Sequence, residues 1–291
     1  ESEKRGEDMG KICDLHTHSL CSDGTLAPAA LAAQAAELGL GAVALTDHNT
    51  TAGLRDFLAA GQPGGPELVA GCELTTEWQG RELHLLGLFL RPGVWDAVED
   101  RVLVFRRNKE ESNRSLCAAL TAAGVPVDYG ALWSSVRGGS INRANVAAFM
   151  KARGMVSSIN EAFVRYLEPG LGFYEPPARP DALETAAFLR GLGAVPVLAH
   201  PFLSLDEEDL AEFLPQARER GLCGMEVFYP RFTAEQTALA QELCRRFGIL
   251  PSGGSDFHGK NKPDIALGRG RGELSVPMEF YEGLKEKAQS I

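Results

Sequence analysis

No Cys-x-x-Cys pair occurs among the six cysteines, Cys13, Cys21, Cys72, Cys117, Cys223 and Cys244. No apolar run approaches the roughly 18 residues that a membrane helix needs. The opening stretch Glu1–Gly10 is polar and charged, the reverse of a secretory leader. The cysteines are therefore expected to be reduced thiols in a cytoplasmic protein, and residues 1–10 a disordered lead-in. Basic residues are also scarce: 29 Lys and Arg stand against 39 Asp and Glu, a net charge of -10. That balance argues against bulk binding to duplex nucleic acid, which depends on neutralising phosphates. Internal repeats and low-complexity tracts are missing as well.

What remains is a chain of 291 residues with 44% hydrophobic content, enough for a sizeable core. Short apolar runs alternate with helical patterns. Lys11–Leu15, Gly41–Leu45, Leu68–Leu74 and Glu82–Leu90 read as strands, and Pro28–Leu38 and Thr50–Ala60 as helices. The alternation returns after Pro180, with strands at Ala194–Ala199, Gly224–Tyr229 and Ile249–Ser252 and a closing helix over Pro277–Ser290. This order points to an α/β fold with a parallel sheet, open or closed into a barrel. Between them lies a block without a clear buried strand, opened by a long helix over Trp95–Ala123. Residues 101–180 carry 11 basic and 6 acidic side chains, whereas the rest carries 18 and 33. A basic, helical block inside an acidic α/β chain reads as an insertion. The expected organisation is a discontinuous barrel domain, 11–95 and 180–291, interrupted by a helical subdomain, 96–179, that acts as a substrate lid.

Histidine is rare too, and its placement is informative. Five of the six (His16, His18, His48, His200, His258) fall at or just past the end of an expected strand, and His84 near the start of one. In α/β barrels reactive groups gather at the C-terminal rim of the strands. On a regular strand Asp14, His16 and His18 share one face, with Cys13, Leu15 and Thr17 on the other. Six imidazoles with Asp23, Glu73 and Asp256 make nine candidate ligands, which suits two or three ions. Three divalent ions, three carboxylates and one hydroxide leave about +2, the charge that a phosphate monoester dianion neutralises. Phosphoryl chemistry is therefore favoured over amide hydrolysis.

The ordered motifs His16-x-His18, Ser22-Asp23-Gly24, Thr46-Asp47-His48, Gly71-x-Glu73, Ala199-His200-Pro201 and Gly254-Ser255-Asp256-x-His258 resemble those of the PHP (polymerase and histidinol phosphatase) family. The resemblance implies a distorted (β/α)7 barrel with a trinuclear metal site. Carried over position by position, it implies a first ion on His16, His18, Glu73 and Asp256. A second would sit on Asp23, His48 and His258, and a third on His84 and His200 with Glu73 bridging. Manganese stands first among the candidate ions, with iron and zinc as alternatives. The acid of Ser22-Asp23-Gly24 and the helical insertion resemble the nucleotide-phosphatase and short-RNA exonuclease branch.

The implied reaction is hydrolysis of phosphomonoesters of small nucleotides (3',5'-bisphosphorylated nucleosides or AMP) through a metal-bridging hydroxide. His200 and Asp256 are the expected catalytic residues, with His200 protonating the leaving alcohol. A 5'-to-3' exonuclease on short RNA is the alternative, and a non-catalytic metal-binding PHP module the alternative of another class. Arg143 and Asn145, which open a helix in the insertion, and Lys262, just past the last motif, are the expected substrate contacts. This branch carries Arg-Pro-His where the chain has Arg143-Ala144-Asn145, so the histidine's contact has no counterpart. Asp14 is expected to orient an imidazole. Gly268-Arg269-Gly270-Arg271-Gly272 reads as an ordinary loop.

Overall fold

The computed structural model describes residues 11–136 and 141–291; the expected lead-in, 1–10, lies outside them. The chain divides into two compact units, Glu1–Asp96 with Pro180–Ile291, and Ala97–Arg179.

The first unit is built on strands β1 (Ile12–Asp14), β2 (Ala42–Leu45), β3 (Glu67–Trp78), β4 (Arg81–Leu88), β5 (Val195–Leu198), β6 (Gly224–Phe228), β7 (Leu250–Gly253) and β8 (Val276–Pro277). Their order is β7-β6-β5-β4-β3-β2-β1-β8. Beyond β1 the chain meets the far edge: Leu15 N–H donates to Gly253 O at 3.1 Å, and Thr17 bridges Phe257. Those bonds close the sheet into a distorted barrel. β2 and β5 are buried at every position, as expected of strands covered on both faces.

The sheet is not wholly parallel. β4 runs antiparallel to both β3 and β5. The reason is a tight hairpin at Gln79-Gly80, both with positive φ (49° and 77°), a turn whose twist suits two antiparallel strands. The hairpin sets His84 opposite Thr75, two residues along β3 from Glu73 and so on the same face. A second difference concerns the first motif. β1 stops at Asp14, so strict alternation does not extend to His18. Cys13 and Leu15, expected on the face away from the site, do join the core cluster formed with Ala42, Ala44, Val69, Leu86 and Val197.

Helices α1 (Pro28–Glu37) and α2 (Leu54–Ala59) connect the first strands. The second unit holds α3 (Trp95–Ala122, from Ala97 on), α4 (Tyr129–Ser135), α5 (Arg143–Ala152) and α6 (Ile159–Ala162). It has its own core of Leu116, Leu120, Leu132, Val146, Met150 and Leu167. Returning to the barrel, α7 (Ala182–Gly191), α8 (Glu207–Glu219), α9 (Ala234–Phe247) and α10 (Met278–Gln289) complete the chain. The ends of α9 follow from its sequence: Thr233 and Gln236 form a reciprocal capping box, and Gly248 takes the left-handed conformation (φ 62°) that stops the helix.

Candidate metal centre

Nine side chains from six separate stretches of chain converge at one end of the barrel. His16 and His18 follow β1, Asp23 lies in the next loop, and His48 follows β2. Glu73 sits within β3 and His84 within β4, while His200 follows β5 and Asp256 and His258 follow β7. Glu73 is at the centre and fully buried. Its Oε2 lies 3.1 Å from His16 Nε2, 3.2 Å from His18 Nε2 and 3.0 Å from His48 Nδ1. Its Oε1 lies 2.7 Å from His84 Nδ1 and 3.0 Å from His200 Nε2. Asp256 Oδ1 is 3.2 Å from His18 Nε2 and 3.7 Å from His16 Nε2. Asp23 Oδ1 is 3.1 Å from His258 Nε2 and 3.8 Å from His48 Nε2. The His18 ring stacks on those of His48 and His258 at 4.4 and 4.1 Å.

These contacts are not a satisfied hydrogen-bond network. His16 Nε2, both ring nitrogens of His18, Asp23 Oδ1 and Glu73 Oε2 are buried without a hydrogen-bond partner. Orphaned polar atoms of this kind are costly, and native interiors contain few. They are explained if a cation sits among them. Two donors 90° apart on a bond of about 2.1 Å lie about 3.0 Å from each other, close to the spacings around Glu73. Four such groups occur among the described residues: His18, Asp23, His48 and His258; His16, Glu73 and His200; His16, His18 and Asp256; and His48, Glu73 and His84.

The electrostatics agree. Burial pushes the Glu73 and Asp256 carboxyls up, but the surrounding imidazoles, with Lys262 at Asp256, outweigh it and hold both well below the usual range. Burial likewise pushes His18 and His84 down. Asp256 and Glu73 at His18, and Glu73 and Glu82 at His84, reverse this and raise them to about 9 and about 10. His48 is driven down to about 3 by burial, with His18 and His84 adding to it against the pull of Glu73 and Asp23. Carboxylates and imidazoles packed this closely form a pocket that demands positive charge.

The family model for the PHP domain matches residues 14–131. A 5'-3' exoribonuclease of Haemophilus influenzae is 30% identical over 258 residues, covering 86% of this chain and 91% of the relative. The chain belongs to the PHP family. A 3',5'-nucleoside bisphosphate phosphatase of Chromobacterium violaceum is 28% identical over 247 residues, covering 84% of this chain and 86% of that protein. A solved structure from Bifidobacterium adolescentis, assigned as a metal-dependent phosphoesterase, superimposes with a TM-score of 0.80 at 27% identity and 96% coverage of both chains. This PHP protein is a metal-dependent phosphoesterase whose relatives include a 3',5'-nucleoside bisphosphate phosphatase and a 5'-3' exoribonuclease.

Around the PHP cage, buried acids hold the ligand loops in place. Asp14 does not orient an imidazole. Its carboxylate accepts from Ser255 N at 2.8 Å, Ser255 Oγ at 2.5 Å and Gly268 N at 2.8 Å, so it ties the Asp256 loop and the glycine-arginine loop to β1. Asp47 plays the same part for the Asp23 loop, accepting from Ser19 N at 2.7 Å, Ser19 Oγ at 2.6 Å and Ser22 Oγ at 2.5 Å. Gly254 is needed for space: a Cβ there would lie 2.4 Å from His16 Cβ. Asp256 (φ 54°) and His200 (φ 29°) both hold left-handed backbone, the kind of strain that gathers at functional sites.

Lys262 Nζ pairs with Asp256 Oδ2 at 2.6 Å, and Tyr229 Oη donates to the same oxygen at 2.9 Å. Asp256 therefore turns Oδ1 alone to the imidazoles. Tyr229 and Glu226 were not singled out in the sequence. The available signal was an acid in the apolar run Gly224-Met225-Glu226-Val227-Phe228, where a charge is expensive without partners.

Within the second unit, Arg143 opens α5. Its guanidinium lies 5.0 Å from the Tyr174 ring centroid and 5.7 Å from that of Phe163, and donates to Leu167 O and Glu168 Oε2. Asn145 closes a capping box with Asn142, each side-chain oxygen accepting the other's backbone N–H at 2.9 Å. No helix among the described residues is long and apolar enough to cross a membrane.

Proposed function

We propose that the nine side chains hold three divalent ions, manganese first among them: one on His16, His18, Glu73 and Asp256, one on Asp23, His48 and His258, and one on His84 and His200 with Glu73 bridging. The supporting observation is Glu73, whose two oxygens are shared among five imidazoles with no hydrogen bond to quench Oε2. Bound ions would supply Lewis acidity and an activated water. The substrate class is the phosphomonoester of a small nucleotide, a 3',5'-bisphosphorylated nucleoside or AMP. Charge supports a dianionic phosphoryl group in such a cage, and the name of the Chromobacterium relative supports the nucleotide. An aromatic run also favours a base: the His200, Tyr229, Phe232 and Phe202 rings follow one another at centroid distances of 5.4, 5.2 and 5.1 Å, all half-buried except the buried Tyr229.

His200 faces Glu73 through Nε2. Ligation and protonation of a leaving alcohol compete for that one atom, so we keep the ligand role. Lys262 acts first on Asp256, pairing with Oδ2 and leaving Oδ1 as the oxygen that would face a bound ion. Substrate choice is assigned to the basic residues 97–179 and to Arg143 in particular; Asn145 is assigned to capping α5. A cytoplasmic site of action is part of this proposal.

The reading is tested with metal-stripped protein, Mn²⁺ add-back and a panel of AMP, bisphosphorylated nucleosides, histidinol phosphate and a short RNA. Phosphate release from the nucleotides, dependent on the ion, is the expected result. No release from any metal-loaded reaction sinks the enzymatic reading in favour of a non-catalytic module. Preferential cleavage of RNA, the activity named for the Haemophilus relative, promotes the exonuclease. Arg143→Ala is expected to raise KM about 10-fold with kcat little changed, the loss of one charge-assisted hydrogen bond. An unchanged KM removes Arg143 from the substrate site.

A further inference from the structure

Glu226 is a fully buried acid on β6, a strand that carries none of the nine cage residues. Both of its oxygens are engaged. Oε1 lies 3.0 Å from His16 Nδ1, and Oε2 accepts the backbone N–H of His200 at 2.6 Å. A carboxylate can only accept hydrogen bonds. Facing Nδ1, it therefore retains the ring proton there and leaves the lone pair on Nε2, the atom turned toward Glu73 and Asp256. The second bond acts on a different ligand. His200 adopts φ 29° and ψ 55°, a conformation that residues with a Cβ avoid, and its N–H is the group that Glu226 holds.

We infer that Glu226 is a positioning residue for the metal cage, selecting the Nε2-ligating tautomer of His16 while pinning the strained backbone that presents His200. The inference rests on the proposed metal site. Its logic is that one carboxylate serves two ligands from strands on different parts of the sheet, β1 and β5. An amide cannot replace it. If the amide oxygen takes the His200 N–H, the NH2 group faces His16 Nδ1 and favours the proton on Nε2, the wrong tautomer. If the oxygen takes the His16 proton, NH2 meets N–H at His200 and that bond is lost.

Glu226→Gln is close to isosteric and tests the point without using catalysis. Chelator-stripped wild-type and variant protein are titrated with Zn²⁺ and Mn²⁺ by calorimetry, and metal per chain is counted. The expected result is wild-type binding with affinity lowered 10- to 100-fold in the variant, the usual effect of losing a partner behind a metal-bound histidine. Long-range ¹H–¹⁵N correlation spectra of the Zn²⁺-loaded wild type are expected to show His16 protonated on Nδ1, a signature that a merely structural role does not predict and that needs no variant. Equal affinity and metal count in Glu226→Gln, or a wild-type His16 protonated on Nε2, overturns the inference. Failure of the wild type itself to bind metal overturns the metal site instead, so the two failures are distinguishable.

Discussion

Glu73→Ala is expected to empty the two proposed sites that use Glu73, leaving at most the ion on Asp23, His48 and His258, and to lower turnover by more than about 100-fold. Partners that merely orient a metal ligand are worth about 10- to 100-fold. Glu73 stands inside that layer, sharing its two oxygens among five of the six histidines. Removing it leaves His84 and His200 with no cage carboxylate between them and His16 and His18 with Asp256 alone, and cations then have little reason to enter those two sites. Stability supplies an independent readout. A ligand that binds only the folded state stabilises it by about 2.7 kcal/mol at 100 times its Kd. The wild type should therefore melt several degrees higher with Mn²⁺ than with chelator, and Glu73→Ala should show a much smaller difference. An alanine variant that kept its metal complement and the Mn²⁺-dependent rise in Tm would remove Glu73 from the centre of the site.

Asp14→Ala is expected to destabilise the fold itself by roughly 4 kcal/mol. The carboxylate is fully buried and collects the N–H groups of Ser255 and Gly268, both buried, besides the Ser255 hydroxyl. Truncation strands two backbone donors, each costing about 1–3 kcal/mol when left unsatisfied. It also opens a small void beside β1. Against a total stability of about 5–15 kcal/mol this is a large fraction. Because these bonds hold the loop bearing Asp256 and His258, metal affinity should fall along with Tm. Thermal melts and metal counts on the same samples check both. A loss of less than about 1 kcal/mol would mean that the loop finds other acceptors, and the tie assigned to Asp14 would be wrong.

The two predictions fall on residues of unequal legibility. Glu73 could be found from the chain alone. Gly71-x-Glu73 lies in a run that reads as a buried strand, and a charge there needs a partner or a metal. The same reasoning reached all six histidines, since imidazoles confined to strand ends are hard to explain as packing. Asp14 is legible as an acid of the site but not in its role: two residues before His16, it reads as an imidazole's partner. Its main partners are Ser255 and Gly268, 241 and 254 residues away, and no local pattern could name them. Glu226 sits 210 residues from the ring it faces. The β3–β4 hairpin is not legible in the sequence, for a local reason. The polar run around Gln79-Gly80 reads as a loop between two strands, and nothing in the apolar pattern reveals that they return side by side.

By itself, then, the sequence determined which donors exist and that they belong together. Imidazole and carboxylate chemistry is a property of residue types, and strand-end placement is a property of local order. Only the tertiary structure decided which oxygen of Glu73 meets which nitrogen. It turned β4 around to bring His84 to Glu73's face, and it set Glu226 rather than Asp14 behind His16. The physical reason is the same throughout: those relations are fixed by barrel closure and by hydrogen bonds between segments up to 254 residues apart, distances over which side-chain periodicity carries no information.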